Sequence, residues 1–351
     1  MIKKTMKAAV LYAPSDLRIE EVPVPEISEG QALVKVKACG ICGSDLPRIL
    51  HTGTYHFPTI PGHEFAGEIA AVSESEKNWK VGDRVVVAPL IPCRKCKSCR
   101  DGHFGQCDDY DFIGSRRDGA FAEYAAAPLE NLLRLPANVS FEEGAMVEPA
   151  AVTLHGMLKM QIKKEDTVAV LGVGAVGLFA AALSKILGAR EVYAVDISED
   201  KLGMASLYGA DVCINSIERD PVGAVDEMTG GHGISVVVEA AGSAITQEQS
   251  LRMARNHARI LFLGTAHRMV EFPPVSFERI IRRELVLYGS WNSYSEDFPG
   301  REWRSVIDYI DSGKLDLKPM ISRTVSLDEL PATLEAMAGR EFDYNKVLVR
   351  F

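Results

Sequence analysis

No stretch of this sequence holds the roughly 18 consecutive apolar residues that a membrane span needs. The N-terminal MIKKTMKAAVLYAPSD loses its apolar run to Pro14 and Asp16 before it can form a signal-peptide core. A cytoplasmic protein is therefore expected. Positive charge is in short supply: 39 Lys and Arg stand against 48 Asp and Glu, a net charge of −9. That balance excludes nucleic acids and anionic membrane surfaces as natural partners and leaves small molecules. Gly/Ser linkers, low-complexity tracts and internal repeats are also missing, so the 351 residues should form compact domains, two by length.

Cysteine is scarce as well, at seven, yet four of them fall within CRKCKSCRDGHFGQC. Reduced cytosolic thiols make disulfides between Cys93, Cys96, Cys99 and Cys107 a poor explanation. Their spacing lets one loop wrap four thiolates around a tetrahedral ion, so a structural zinc with no open position is expected. An iron–sulfur cluster competes with this reading. The ferredoxin run, however, puts three residues before its last cysteine and a proline after it, whereas here seven intervene and Asp108 follows.

A second group has mixed ligands. Cys42 in ACGICGSDLPRI, and His63 and Glu64 in PGHEFAGEI, offer a thiolate, an imidazole and a carboxylate. With one position left to water or substrate, that is the composition of a catalytic zinc site, and Glu148 in MVEPAAVTLH is a further candidate carboxylate. Singly each has another reading: a redox pair of Cys39 with Cys42, a hydrogen-bonded core histidine, an acid at a helix N-terminus.

The run DTVAVLGVGAVGLFAAALSKILGAREVYAVD follows a different logic. A β-branched strand turns at Gly172, Gly174 and Gly177, passes Val176 into an apolar helix, and meets a second strand ending in Asp196. This is the context a Rossmann unit requires, with the pyrophosphate at the helix N-terminus and Asp196 on the ribose hydroxyls. No arginine stands in the ISED segment that follows, so nothing there would receive a 2′-phosphate, and NAD is expected over NADP. SVVVEAAG, RILFLGT and ELVLYGS continue a doubly wound parallel sheet, while ALVKVKA, GEIAAV and DRVVVAPL earlier in the chain read as a mainly β domain. The fold class is α/β.

Together the Gly62–His63–Glu64 motif, Cys42, the four-cysteine loop and GVGAVG resemble the zinc-containing medium-chain alcohol and polyol dehydrogenases along the whole chain. That resemblance implies a GroES-like catalytic domain from residues 1–155 and 296–351, with its structural lobe near 90–110, around a Rossmann domain at 156–295. It implies catalytic zinc on Cys42, His63 and Glu148, with Glu64 on the metal or just behind it, and thus two zinc ions per chain. Ser44 becomes the first proton carrier. Where relatives place a relay histidine this chain has Pro47, which leaves Asp45, His51 or water to pass the proton on.

CGSDLPRI, YDFIGSRRDGAFAEY and GSWNSYSEDFPGREW narrow the resemblance to enzymes of polyol phosphates, and imply oxidation of galactitol 1-phosphate to tagatose 6-phosphate with NAD. Arg48, Arg116 and Arg117 are then the candidates for holding the phosphate. An unphosphorylated polyol, a diol or threonine is the alternative substrate. A dinucleotide-binding structural or redox-sensing protein is the alternative of another class. A homodimer or homotetramer is expected.

Overall fold

The computed structural model describes residues 2–73, 78–266 and 268–351. Two units divide the chain: Met1–Glu148 with Tyr294–Phe351, and Pro149–Ser293. Where the sequence suggested a junction at 155/156, the chain divides in the opening turn of the helix Val147–Lys159. The return junction falls at 293/294 instead of 295/296.

The first unit is built from valine-rich strands. β1 (Thr5–Ala13) and β2 (Asp16–Pro23) form an antiparallel hairpin, and the sheet proper begins with β3 (Gln31–Gly40), β4 (Glu64–Val72) and β5 (Arg84–Val87). Two short strands, β6 (Leu90–Ile91) and β7 (Asp111–Phe112), pair with each other and close the loop that carries the four cysteines. β8 (Tyr124–Pro128) and β9 (Leu132–Arg134) add to the sheet on β3 and β5. Leu11, Val34, Ile49, Phe65, Ile69 and Phe121 are buried together in its core.

In the second unit all strands run parallel: β10 (Thr167–Leu171), β11 (Glu191–Asp196), β12 (Val212–Asn215), β13 (Ile234–Glu239), β14 (Ala254–Phe262) and β15 (Val286–Gly289). Their order is β12-β11-β10-β13-β14-β15. TVAVL in β10 and ISVVVE in β13 are buried at every position, as strands covered by helices on both faces must be. β15 is different: among the described residues it pairs only with β14, and Val286 and Leu287 stay exposed.

The chain then returns to the first unit with β16 (Ile321–Val325) and β17 (Lys346–Arg350), which complete the order β16-β17-β3-β4-β5-β9. Register now brings distant residues to one end of this sheet. Gly40 lies opposite Glu64, so Cys42 just past β3 and His63 just before β4 emerge side by side. Leu348 also lies opposite Gly40, which carries Lys346 to the same end. Among the described residues no helix is long and apolar enough to cross a membrane.

Candidate active site

At that sheet end the ligand atoms of Cys42, His63 and Glu64 lie within 4.8 Å of one another. Burial alone would disfavour a charged His63, but the Asp45 carboxylate and the Cys42 thiol outweigh it and raise the imidazole well above its ordinary value. A site whose field favours positive charge suits a cation, and thiolate, imidazole and carboxylate are the donors zinc takes. Glu148, expected as the third ligand, stands outside this set. It is buried in the first turn of its helix, and burial pushes its carboxyl up to about 7, against the pull of His63.

Asp45, a candidate relay in the sequence, and Lys346, which no motif singles out, hold this geometry. Asp45 is buried; its Oδ2 accepts from Cys42 N at 2.9 Å and its Oδ1 lies 3.5 Å from His63 Nδ1. A carboxylate so placed can orient the ring of a metal-binding histidine. Lys346, 4% exposed, forms an ion pair with Glu64 and donates to Ile41 O at 3.1 Å. Tyr294 is buried, and its hydroxyl accepts from Leu90 N at 3.0 Å. Asp45 follows Ser44 directly, whereas nothing near Lys346 in sequence points to the site. Cys39 is inside β3, and burial holds its thiol well above the ordinary range, which does not suit half of a redox pair.

Ser44 Oγ donates to Cys42 Sγ at 3.2 Å, and Arg48 Nη1 donates to Ser44 Oγ at 3.3 Å. A fixed cation therefore sits one residue removed from the donor set. The other two arginines are held elsewhere. Arg116 lies between the rings of Tyr55 and Tyr110, 4.0 and 4.4 Å from their centroids. Tyr110 meets Phe112 edge-on, and Phe112 meets His63 in the same way. Arg117 turns its fork onto Asp111. His51 is exposed in the turn Arg48–Thr52.

The four-cysteine loop closes as a second cluster. Cys93, Cys96, Cys99 and Cys107 bring their sulfurs within 4.8 Å, with Cys93–Cys99 at 4.0 Å and Cys96–Cys107 at 3.9 Å, and none forms a disulfide. A tetrahedron of zinc–sulfur bonds about 2.3 Å long has edges of about 3.8 Å, so the sulfurs fit zinc. Main-chain N–H groups at Lys95 and Cys96 help to lower the Cys93 thiol to about 6, while burial raises Cys99 to about 12.

In the second unit, β10 runs into Gly172, whose φ of +84° and closeness to Ala241 (2.6 Å from an added Cβ) leave room for glycine only. Gly174 caps the helix Ala175–Ile186 and faces open space, so its backbone is free to approach a ligand. A Cβ at Gly177 would lie 1.9 Å from Gly172 O, which is the close packing of helix on turn. Val176 is half-buried in the helix's first turn. Asp196, at the end of β11, accepts from Val173 N at 2.7 Å and from Ile197 N at 2.8 Å, which sets the carboxylate beside the turn. The turn and the helix start form a cradle that suits a pyrophosphate.

Residues 28–137 match the family described as alcohol dehydrogenase GroES-like domain, and residues 175–308 the family described as zinc-binding dehydrogenase. A galactitol 1-phosphate 5-dehydrogenase of Escherichia coli K12 is 36% identical over 95% of this chain and 96% of its own. A sorbitol dehydrogenase of Bacillus subtilis 168 is 32% identical over 99% and 98%. The crystal structure of the galactitol-1-phosphate dehydrogenase from Escherichia coli superposes with a TM-score of 0.93 at 36% identity, covering 99% of this chain and 100% of that one. A zinc-binding dehydrogenase from Sinorhizobium meliloti 1021 bound to NADP has a TM-score of 0.91 at 32% identity, and an Escherichia coli CFT073 dehydrogenase complexed with NADH 0.89 at 29%; each pairing covers 99% of this chain and 100% of the other.

Proposed function

This chain belongs to the zinc-binding alcohol dehydrogenase family, and from that premise we propose that it oxidises a secondary alcohol of a polyol phosphate with NAD, converting galactitol 1-phosphate to tagatose 6-phosphate. When bound, zinc supplies a Lewis acid for the alcohol oxygen and NAD accepts the hydride. The protein's own part is to position and to move a proton. Cys42 and His63 hold the metal with Glu64, whose place in the donor set favours it over Glu148 as the third ligand. Asp45 orients His63, and Lys346 balances the charge of Glu64. Ser44 Oγ, next to the Cys42 sulfur, takes the hydroxyl proton first. Cys93, Cys96, Cys99 and Cys107 hold the second, structural zinc.

The observation that carries the phosphate is Arg48. Its guanidinium is anchored through one nitrogen to Ser44, and its remaining donors are the charge-assisted partners a phosphate at the far end of the polyol would seek. Arg116 is a second candidate, whereas Arg117 is already paired. Asp196 and the absence of an arginine after it favour NAD, although one relative binds NADP. A charge-assisted bond of this kind contributes about 1.5–3 kcal/mol. Arg48→Ala should therefore raise KM for galactitol 1-phosphate about tenfold or more while kcat changes less. An unchanged KM would remove Arg48 from substrate binding.

The reading includes a cytoplasmic setting, where thiols stay reduced for zinc, and a homodimer. β15 presents an edge with exposed Val286 and Leu287, and Trp291 just beyond it is also exposed. Strand-to-strand pairing with a second copy would cover all three.

A further inference from the structure

In the second unit β10 and β13 are neighbours at the point where the connections diverge, since β11 and β12 lie to one side and β14 and β15 to the other. A ligand of such a sheet binds in the crevice beyond the carboxyl ends of those two strands. One wall of the crevice is the turn at Gly172–Gly174. The other is the segment after β13, which touches the first where Ala241 meets Gly172.

That second wall hangs on one side chain. Glu239, the last residue of β13, is fully buried, and its Oε1 accepts from Ala241 N at 3.0 Å, Gly242 N at 2.9 Å and Thr246 Oγ1 at 2.7 Å. Its main-chain oxygen accepts from Leu263 N at 2.9 Å and Gly264 N at 3.0 Å. One residue thus ties down the loops after both β13 and β14. The side-chain partners are all neutral donors, and Oε2 has no hydrogen-bond partner among the described residues. Burial raises the carboxyl against the pull of the hydrogen bonds it accepts. A buried carboxylate in this state is an expensive way to fill space, and an apolar side chain would pack the same volume at lower cost. What the carboxylate does that an apolar group would not is aim three donors at one point and so hold the backbone of residues 240–243 in a single shape.

Asp196 claims the adenosine ribose for the β11 side of the crevice, which leaves the β13 side to the other half of the cofactor. We infer that Glu239 is a positioning residue for the nicotinamide half of NAD, an inference that rests on the NAD reading above. It acts through the 240–243 wall and touches no reacting atom.

The test compares the dissociation constants of NADH and of 5′-AMP, by titration calorimetry on the zinc-loaded protein, in wild type, Glu239→Ala, Glu239→Gln and Thr246→Val. Glu239→Ala should weaken NADH about tenfold and leave AMP within about twofold, because only the nicotinamide half loses its wall. Glu239→Gln keeps an acceptor oxygen and should stay within about threefold of wild type for both ligands. Thr246→Val, which spares the carboxylate, should weaken NADH measurably and AMP not at all, and it serves if the alanine variant fails to fold. Equal weakening of NADH and AMP, unchanged NADH affinity in the alanine and valine variants, or a glutamine variant as weak as the alanine variant would overturn the assignment. Wild type that binds AMP and NADH alike leaves the NAD site standing and removes the role of the wall; wild type that binds neither removes the NAD reading itself.

Discussion

Replacing Lys346 by methionine would test how the charge of the open metal site is balanced. Methionine keeps an unbranched stem of similar length and removes the ammonium. Glu64, 1% exposed, would then lose its ion-pair partner, and Ile41 O would lose a donor. Removing one member of a buried pair costs about 3–5 kcal/mol, because the remaining charge is uncompensated. Glu64 also belongs to the donor set with Cys42 and His63, so bound zinc would supply the missing positive charge. The two states should diverge: zinc-free protein carries the whole cost, and zinc-loaded protein about 1 kcal/mol for the lost bond to Ile41. For a unit of this size each kcal/mol moves Tm by roughly 2–4 °C, so the zinc-free transition should fall on the order of 10 °C and the loaded one by a few degrees. By linkage the variant should bind zinc more tightly than wild type, by about 2–4 kcal/mol. Calorimetric melts with and without zinc, together with competition against a coloured chelator, measure both quantities. Equal Tm losses in the two states, or weaker zinc binding, would refute the argument that Glu64 faces the metal.

Elemental analysis of active protein should find about two zinc ions per chain. Chelation should remove the open-site ion first and abolish turnover, whereas Cys96→Ser should impair expression or assembly by opening the closed lobe. Asp196→Gly should narrow the preference for NAD over NADP, measured as a ratio of kcat/KM, and should also raise KM for NAD because the carboxylate braces Val173 N. In the second unit, Arg259→Leu leaves Asp166, 2% exposed, with Arg255 at 3.6 Å as its remaining ion-pair partner. A loss of about 2–4 kcal/mol is expected in denaturant melts with zinc content unchanged.

Local patterns in the sequence correspond to local structure here. The glycines at 172, 174 and 177 are demanded by one turn, and the cysteines at 93, 96, 99 and 107 by one loop, so spacing alone carried the information. β10 and β13 are buried on both faces and read as continuous apolar runs for that reason. What stayed hidden depends on register between strands far apart in the chain. Lys346 reaches Glu64 because β17 pairs with β3 at Gly40, and no pattern near residue 346 announces it. That Glu64 stands in the donor set and Glu148 outside it likewise depends on register, since Gly40 lies opposite Glu64 at the sheet end. In GSRRDG two adjacent arginines have different fates, one between tyrosine rings and one on Asp111, because side-chain direction in a turn is not encoded by its composition. In sequence the carboxylate of Glu239 is one residue of the apolar run SVVVEAAG and carries no signal of its own.

The most direct test of the account compares kcat/KM for galactitol 1-phosphate and for galactitol on the same wild-type preparation, following NADH absorbance, before and after zinc is stripped and restored. The account predicts a preference for the phosphorylated alcohol of about tenfold to a hundredfold, set by one or two charge-assisted bonds from Arg48 and its neighbours. Turnover should vanish on removal of the open-site zinc and return with it. Equal efficiency on the two alcohols would contradict the polyol-phosphate reading, and turnover that survives loss of zinc would contradict the site built on Cys42, His63 and Glu64.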